Sequence, residues 1–226
     1  MSDACDFIIE NGILKEYVGD SEVVIVPEEV VRIGDRAFSD REDITDVELP
    51  DGVTSIGDNA FYGCAALSGI NMPEGLTCIG NNAFWGCESL EATIPDHVTN
   101  IGCGAFCGCD ALADDDGFVI IRGVMYYYCG EKRHVTVPNG VTRIDEQAFF
   151  TGEDIESVVL PDGLISIGGC AFANCYELAH IVIPGSVTNA APSAFDDCEE
   201  LTIHAPAGSY AIGYAKSNDI SFVAEG

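Results

Sequence analysis

Residues Val53–Gly75 read VTSIGDNAFYGCAALSGINMPEG, and the phrase returns with changes along the whole chain. Its clearest mark is an Ala-Phe pair. The phenylalanines are Phe38, Phe61, Phe84, Phe106, Phe149, Phe172 and Phe195, in steps of 23, 23, 22, 43, 23 and 23 residues. A second mark is a proline after an apolar alternation, at Pro27, Pro50, Pro73, Pro95, Pro138, Pro161, Pro184 and Pro206, in steps of 23, 23, 22, 43, 23, 23 and 22. Two independent marks keep one beat and skip at one place, so repeat architecture is read before anything else.

Within a unit, Leu67–Pro73 (LSGINMP) has Ile70 and Met72 alternating about Asn71, which predicts a short half-buried strand. Proline has no amide to give a ladder, so Pro73 belongs at the strand end. Leu76–Ile79 predicts a second short extended piece, with Gly80 as a turn. Asn81–Cys87 is expected to make one or two helical turns, capped by Asn81 or Asn82 and ended by Gly86. One such coil cannot bury its apolar stripe alone. Stacking buries it against the next coil, with parallel strands about 4.8 Å apart. Like residues then form columns, and burying each apolar side chain stabilises by roughly 1.5–3 kcal/mol.

The phrasing IGxxAFxxCxxLxxIxIP, nearly intact in Ile56–Pro73, Ile79–Pro95 and Ile167–Pro184, resembles the BspA-like branch of the leucine-rich repeat family. The resemblance covers nearly all of the chain. It implies an α/β repeat fold: a right-handed, curved leucine-rich-repeat solenoid with a parallel β-sheet on one face and short helical turns on the other side. It also implies the company of bacterial surface and adhesion proteins.

At 226 residues and 47% apolar content the chain can bury a continuous core, and it is read as one solenoid domain, 1–226. The formal net charge is −29. Nucleic acid and anionic membrane both need cationic surface, so neither is an expected partner. Acidic side chains on outer turns keep a long apolar stack soluble, and a monomer is expected. The most apolar run, Phe118–Cys129, is broken by Arg122 and too short to span a membrane. MSDACDFIIENG lacks the basic and apolar regions of a signal peptide. Two locations stay open: the cytoplasm if Met1 is the native start, or the cell surface if an export signal has been trimmed. There are 11 cysteines, and Cys64, Cys87, Cys109, Cys175 and Cys198 each stand three residues after a tagged phenylalanine. A column of like thiols reads as small buried hydrophobes rather than disulfides, which implies a reducing or anaerobic setting.

Phe7–Pro27 aligns without a gap on Phe118–Pro138 at an offset of 111, with Phe, Gly, Tyr and Pro among the matches. The skipped beat therefore marks a second copy of an opening module. Asn11-Gly12, and Arg122-Gly123 in the same place, predict β-hairpins. The chain reads as a hairpin plus four repeats (7–117), a hairpin plus three repeats (118–208) and a C-terminal cap (209–226) over the last open edge. In the cap, Tyr210, Ala211, Tyr214 and Ala215 have helical spacing, followed by a short strand-like end. Of Tyr126 and Tyr127, one is expected to be exposed.

No phosphate loop, HExxH or GxSxG occurs, and no enzyme, cofactor or metal is expected. Cys103, Cys107 and Cys109 fall in three different repeat columns, which argues against a zinc site. Asp114-Asp115-Asp116 lacks the ligand spacing of calcium loops and reads as an acidic connection. The strand face offers more. Residues two and four before each proline point outward. In the first block these are Asp46/Glu48, Gly69/Asn71 and Glu91/Thr93. In the second they are His134/Thr136, Ser157/Val159, His180/Val182 and Thr202/His204. That second strip is nearly uncharged on a strongly acidic chain, and such patches mark contact sites. The competing explanation is that β-strands favour Val and Thr whatever they touch. His180 and His204 are expected to be diagonal neighbours, and Ser157 with His180 has the spacing of a dyad but no orienting acid or oxyanion hole. The expected function is a non-enzymatic scaffold binding protein or glycan through the strip His134–His204, with a structural spacer or surface-coat element as the alternative. A Phe→Ala change in a middle coil should cost roughly 3–5 kcal/mol, read from urea unfolding.

Overall fold

The computed structural model describes residues 6–150 and 152–226. Met1–Cys5, at the start of the expected domain, lie outside the described residues. The chain divides into two compact units, Met1–Ala113 and Asp114–Gly226. Each is a β-solenoid of parallel sheets with very little helix.

The first unit contains β1 (Phe7–Glu10), β2 (Ile13–Tyr17), β3 (Val23–Ile25), β4 (Arg32–Ile33), β5 (Asp46–Glu48), β6 (Ser55–Ile56), β7 (Gly69–Ile70), β8 (Cys78–Ile79) and β9 (Asn100–Ile101). Strands β1-β2-β4-β6-β8-β9 form one sheet and β3-β5-β7 another. The second unit contains β10 (Phe118–Ile121), β11 (Val124–Tyr128), β12 (His134–Thr136), β13 (Arg143–Ile144), β14 (Ser157–Val159), β15 (Ser166–Ile167), β16 (His180–Val182), β17 (Asn189–Ala190), β18 (Thr202–Pro206), α1 (Tyr210–Ser217) and β19 (Ser221–Glu225). Its sheets are β10-β11-β13-β15-β17 and β12-β14-β16-β18-β19.

Both hairpins form as predicted, with the same bulge: the register shifts between Ile8 and Ile9 in one and between Val119 and Ile120 in the other. The turns put Asn11 and Arg122 at φ 51° and Gly12 and Gly123 at φ 76° and 75°, the left-handed pair a two-residue hairpin needs. The second unit begins four residues before the expected block boundary at Phe118. Asp114 explains this: its carboxylate accepts the amides of Asp116 and Phe118 at 3.0 Å, and its own amide donates to Phe118 O. Asp116 pairs with Lys132. The acidic run is the hairpin's own clamp. Tyr126 and Tyr127 are both buried, against the expectation for one of them; Tyr127 lies opposite Val119, itself 1% exposed.

Every described tagged phenylalanine is buried, and within each unit the rings stack. Phe38, Phe61, Phe84 and Phe106 follow one another at centroid distances of 4.8, 5.2 and 5.6 Å, within 7° of parallel. Phe149, Phe172 and Phe195 follow at 4.5 and 5.2 Å. The hairpins start each column with Tyr17 and Tyr128. At the far end of the second column Tyr214 of α1 meets Phe195 edge-on at 5.9 Å. So α1 closes the aromatic column as a cap should. β19 does something different: it adds one more parallel strand in register with β18, and all five of its residues are exposed.

The segment expected to be helical is not. In the first unit a left-handed residue stands two before and two after each tagged phenylalanine. Asn59 and Gly63 have φ 55° and 71°, Asn82 and Gly86 φ 51° and 72°, Gly104 and Gly108 φ 65° and 72°. With the turn shaped this way, every second amide points out of its own coil. Asn59, Phe61 and Gly63 donate to Asn81, Ala83 and Trp85 O of the next coil at 2.8 Å, while Tyr62 and Cys64 donate three residues back. An α-helix would have directed all of these amides inward and left the coils unjoined on this side. Asn81 does not cap a helix either: its side-chain oxygen accepts the Cys103 amide at 3.0 Å, as Asp58 accepts that of Asn81 at 2.7 Å.

The Leu67–Pro73 strand is shorter than predicted, covering only Gly69–Ile70. The Asn71 side chain takes over, accepting the Leu49 amide at 2.6 Å and donating to Leu49 O at 2.8 Å. A side-chain amide thus stands in for the next peptide of the ladder. Leu90–Pro95 forms no strand, so Glu91 and Thr93 are exposed but not on a sheet.

The five cysteines of the thiol column donate to the backbone of the preceding coil: Cys64, Cys87 and Cys109 to Phe38, Phe61 and Phe84 O at 3.0–3.1 Å, Cys175 and Cys198 to Phe149 and Phe172 O at 3.6 and 3.0 Å. In the first coil Arg41 occupies this column, donating to Tyr17 O at 3.1 Å and Gly19 O at 2.6 Å, with its guanidinium over the Tyr17 ring and paired to Asp43. In the first full coil of the second unit Gly152 occupies it, with no side chain to donate.

Two predictions follow from this geometry. A Cβ on Gly86 would make only ordinary contact, its nearest neighbour being Gly63 Cα at 3.7 Å, so its φ of 72° decides the cost. Gly86→Ala should destabilise by about 1–2 kcal/mol in urea, where a helical residue would gain about 1 kcal/mol. Burial pushes the Cys64 and Cys175 thiols up to about 12 and Cys198 to about 11, and raises Cys87 and Cys109 as well. These groups are neutral when protonated, so their contribution to stability is complete below their unfolded pKa and is lost as pH rises above it. Native protein at pH 8 should leave all five unlabelled by iodoacetamide in peptide mapping, with labelling in urea, and stability should decline above about pH 9.

Candidate functional site

In the second unit the alternation of β12, β14, β16 and β18 places Val135, Val158, Ile181 and Ile203 inside, each at most 1% exposed. The residues on either side therefore face out. Parallel pairing sets them in two files. His134, Ser157, His180 and Thr202 are mutual register partners, and so are Thr136, Val159, Val182 and His204. All eight predicted residues are thus brought onto one surface. Val159 and Val182 are 41% and 36% exposed.

β19 extends both files by one step, with Ser221 beside Thr202 and Val223 beside His204. The strand-like end of the tail, in a stretch that had lost the repeat beat, carried that signal. In the first unit the proline count applied at Pro27 gives Val23 and Ile25, which are 56% and 55% exposed on β3. They share their files with Asp46 and Glu48, so the apolar surface there is one strand wide.

The polar contacts within the strip are specific. His134 Nδ1 lies 3.0 Å from Ser157 Oγ. Its Nε2 is 3.6 Å from Glu156 Oε2, and Glu156 is held by Arg133 at 2.6 Å. Ser157 therefore engages His134 of the preceding strand and not His180, contrary to the dyad spacing. His134 is largely in solvent, with 72% of its side chain exposed, and an exposed serine–imidazole contact of this kind lacks the dry, donor-lined setting acyl transfer requires. His180 Nδ1 and His204 Nε2 approach to 3.3 Å with the rings edge to face, the diagonal neighbours expected. Among the described residues no three His, Cys, Asp or Glu side chains converge as metal ligands. No helix of the described residues is long and apolar enough to cross a membrane.

At the carboxyl ends of these strands the outer file borders a groove of 490 Å³. Val159 and Val182 form one wall and Pro138, Pro161, Pro184 and Pro206 another; Asp162 and Glu225 supply its charge. The proline at each strand end, placed there because it donates no amide, also makes this wall smooth and apolar.

No curated protein matches the chain. Among solved structures the chain is similar to the T. pallidum leucine rich repeat protein TpLRR, at 24% identity over 100% of this chain and 99% of that one, with a TM-score of 0.53. It is similar to a leucine-rich repeat protein from Eubacterium ventriosum at 20% identity, covering 87% of this chain and 66% of that one, with a TM-score of 0.55. A leucine rich cell surface protein from Faecalibacterium prausnitzii matches at 22% identity over 99% and 94%, with a TM-score of 0.37. At these identities the first two likenesses speak to the fold. The BspA type leucine rich repeat region, in six copies, matches residues 16–115 and 119–214, and the chain belongs to that family.

Proposed function

We propose that the protein is a non-enzymatic binding scaffold of a bacterial cell surface, an adhesion-type protein whose second unit presents the strip from His134 to His204 to a protein or glycan. The carrying observation is the union of two features on one face: exposed valines in register, and the apolar groove they share with the proline column. Surface placement is supported by family membership. Of the two ligand classes, the groove favours an extended peptide. Two valines and four prolines line it, and it runs across strands at a regular spacing. His134, Ser157 and His180 along the inner file then supply hydrogen bonds beside an apolar contact. The spacer reading rests on the preference of strands for Val and Thr, which would fill these positions without any ligand.

Selection of random dodecamer peptides on the immobilised chain separates the two. Peptides enriched by the native chain should be lost when Val159→Asp and Val182→Asp are combined, with the melting temperature nearly unchanged because both side chains already face solvent. Enrichment that survives the double substitution would move the contact off the strip. No enrichment at all would favour the spacer.

A further inference from the structure

The first unit carries a second concave site, on the turn side of its coils. Tyr62 and Trp85 each follow a tagged phenylalanine, and their rings stack at 4.7 Å and 6°. One coil earlier the same position is Ser39. The outer aromatic file therefore stops at Tyr62, and the ring face turned toward Ser39 has no aromatic partner in the file. A cavity of 550 Å³ lies there, lined by Arg36, Ser39, Asp40, Asn59 and Tyr62.

Three of these residues hold costly backbone. Arg36, Asp40 and Asn59 have φ 60°, 61° and 55°. Glycine fills the position of Asp40 in the next three coils, at Gly63, Gly86 and Gly108. The left-handed conformation itself belongs to the repeat's turn, since Asn82, Gln147, Cys170, Asn174 and Asp197 share it; what is particular to this coil is the set of side chains it carries there, Arg, Asp and Asn beside one free ring face. Arg36 has no ion-pair or side-chain hydrogen-bond partner among the described residues, whereas Arg32, Arg41, Lys132, Arg133 and Arg143 each hold a carboxylate. Ser39 Oγ donates to Asp40 Oδ2 at 2.9 Å, which orients that carboxylate within the cavity wall.

We propose that this cavity is a carbohydrate site, in which one pyranose ring stacks on Tyr62 in the gap left by Ser39. A pyranose has an apolar C–H face and a rim of hydroxyls. The C–H face meets the electron-rich face of an aromatic ring favourably. The rim needs donors and acceptors together, and Arg36 and Asn59 supply the first while Asp40 supplies the second. A flat aromatic ligand would use the platform but not the rim. The site is independent of the peptide groove, which lies wholly in the second unit.

Trp85 is the only tryptophan of the chain and touches the platform, so its fluorescence reports on the site. The methyl glycosides of glucose, galactose, mannose and N-acetylglucosamine, with adenosine alongside, are titrated onto the full chain by saturation-transfer NMR and Trp85 emission. At least one glycoside should bind saturably, with a dissociation constant on the order of 1 mM for a single ring on one platform. Tyr62→Ala should abolish it. Ser39→Trp, which fills the gap and only extends the existing file, should abolish it with the melting temperature preserved. Val159→Asp with Val182→Asp should leave it unchanged. Binding of none of the four glycosides, glycoside binding indifferent to Ser39→Trp, or binding of adenosine alone would each overturn the proposal.

Discussion

Everything in this fold depends on one backbone step: the amide of the tagged phenylalanine donating to the alanine carbonyl of the next coil. It recurs as Phe38 to Ala60, Phe61 to Ala83, Phe84 to Ala105, Phe149 to Ala171 and Phe172 to Ala194, at 2.8–2.9 Å. The hairpins join the same system through Tyr17 to Ala37 and Tyr128 to Ala148. The bond fixes the coil-to-coil distance, and that distance is what allows rings to stack and thiols to reach the preceding phenylalanine carbonyl. It accompanies the left-handed residue two before the phenylalanine, at Arg36, Asn59, Asn82, Gln147 and Cys170, where the turn points the amide outward. The apolar columns supply the larger share of the stabilisation. The amide step decides that those columns are straight.

A scaffold held this way leaves its outward residues free of structural duty, and the two candidate surfaces show it. The strip on β12, β14, β16 and β18 is made of residues whose neighbours in sequence are buried, so the core fixes their direction but not their identity. The Tyr62 cavity arises differently, from what one coil has and its neighbour lacks. One surface is a repetition and the other an interruption. The fold alone specifies neither, since recognition resides in side chains grafted onto it.

Much of this was legible in the sequence. Two marks on one beat gave the coils, the offset of 111 gave the paired hairpins, and the proline count placed all eight strip residues on one face. What was not legible shares a cause. Asn and Gly near Phe84 suit a helix cap and a helix end, but they suit left-handed turns equally well, and composition cannot distinguish the two. Asn71 reads as an outward strand residue, yet it ends the strand because its side chain pairs where the backbone would have. Ser157 has the same spacing to His134 and to His180, and only rotamers choose between them. Tyr62 and Trp85 carried a signal that was present all along, two aromatics one repeat apart. It could be read only against Ser39, whose importance is what it does not fill.

A repeating chain risks a particular error. If each coil offers its neighbours the same columns, a strand can settle one coil out of place and still satisfy nearly every contact. The irregular positions remove that degeneracy. Arg41 stands where later coils have cysteine, and there a hairpin gives it Tyr17 O, Gly19 O and the face of a phenol together. A thiol brought to that place would be too short to reach the second carbonyl, and Arg41 brought to a coil stacked on another coil would lose the hairpin's tyrosine and glycine carbonyls. Arg41 thus works as an address, tying the coil that carries it to a hairpin rather than to another coil.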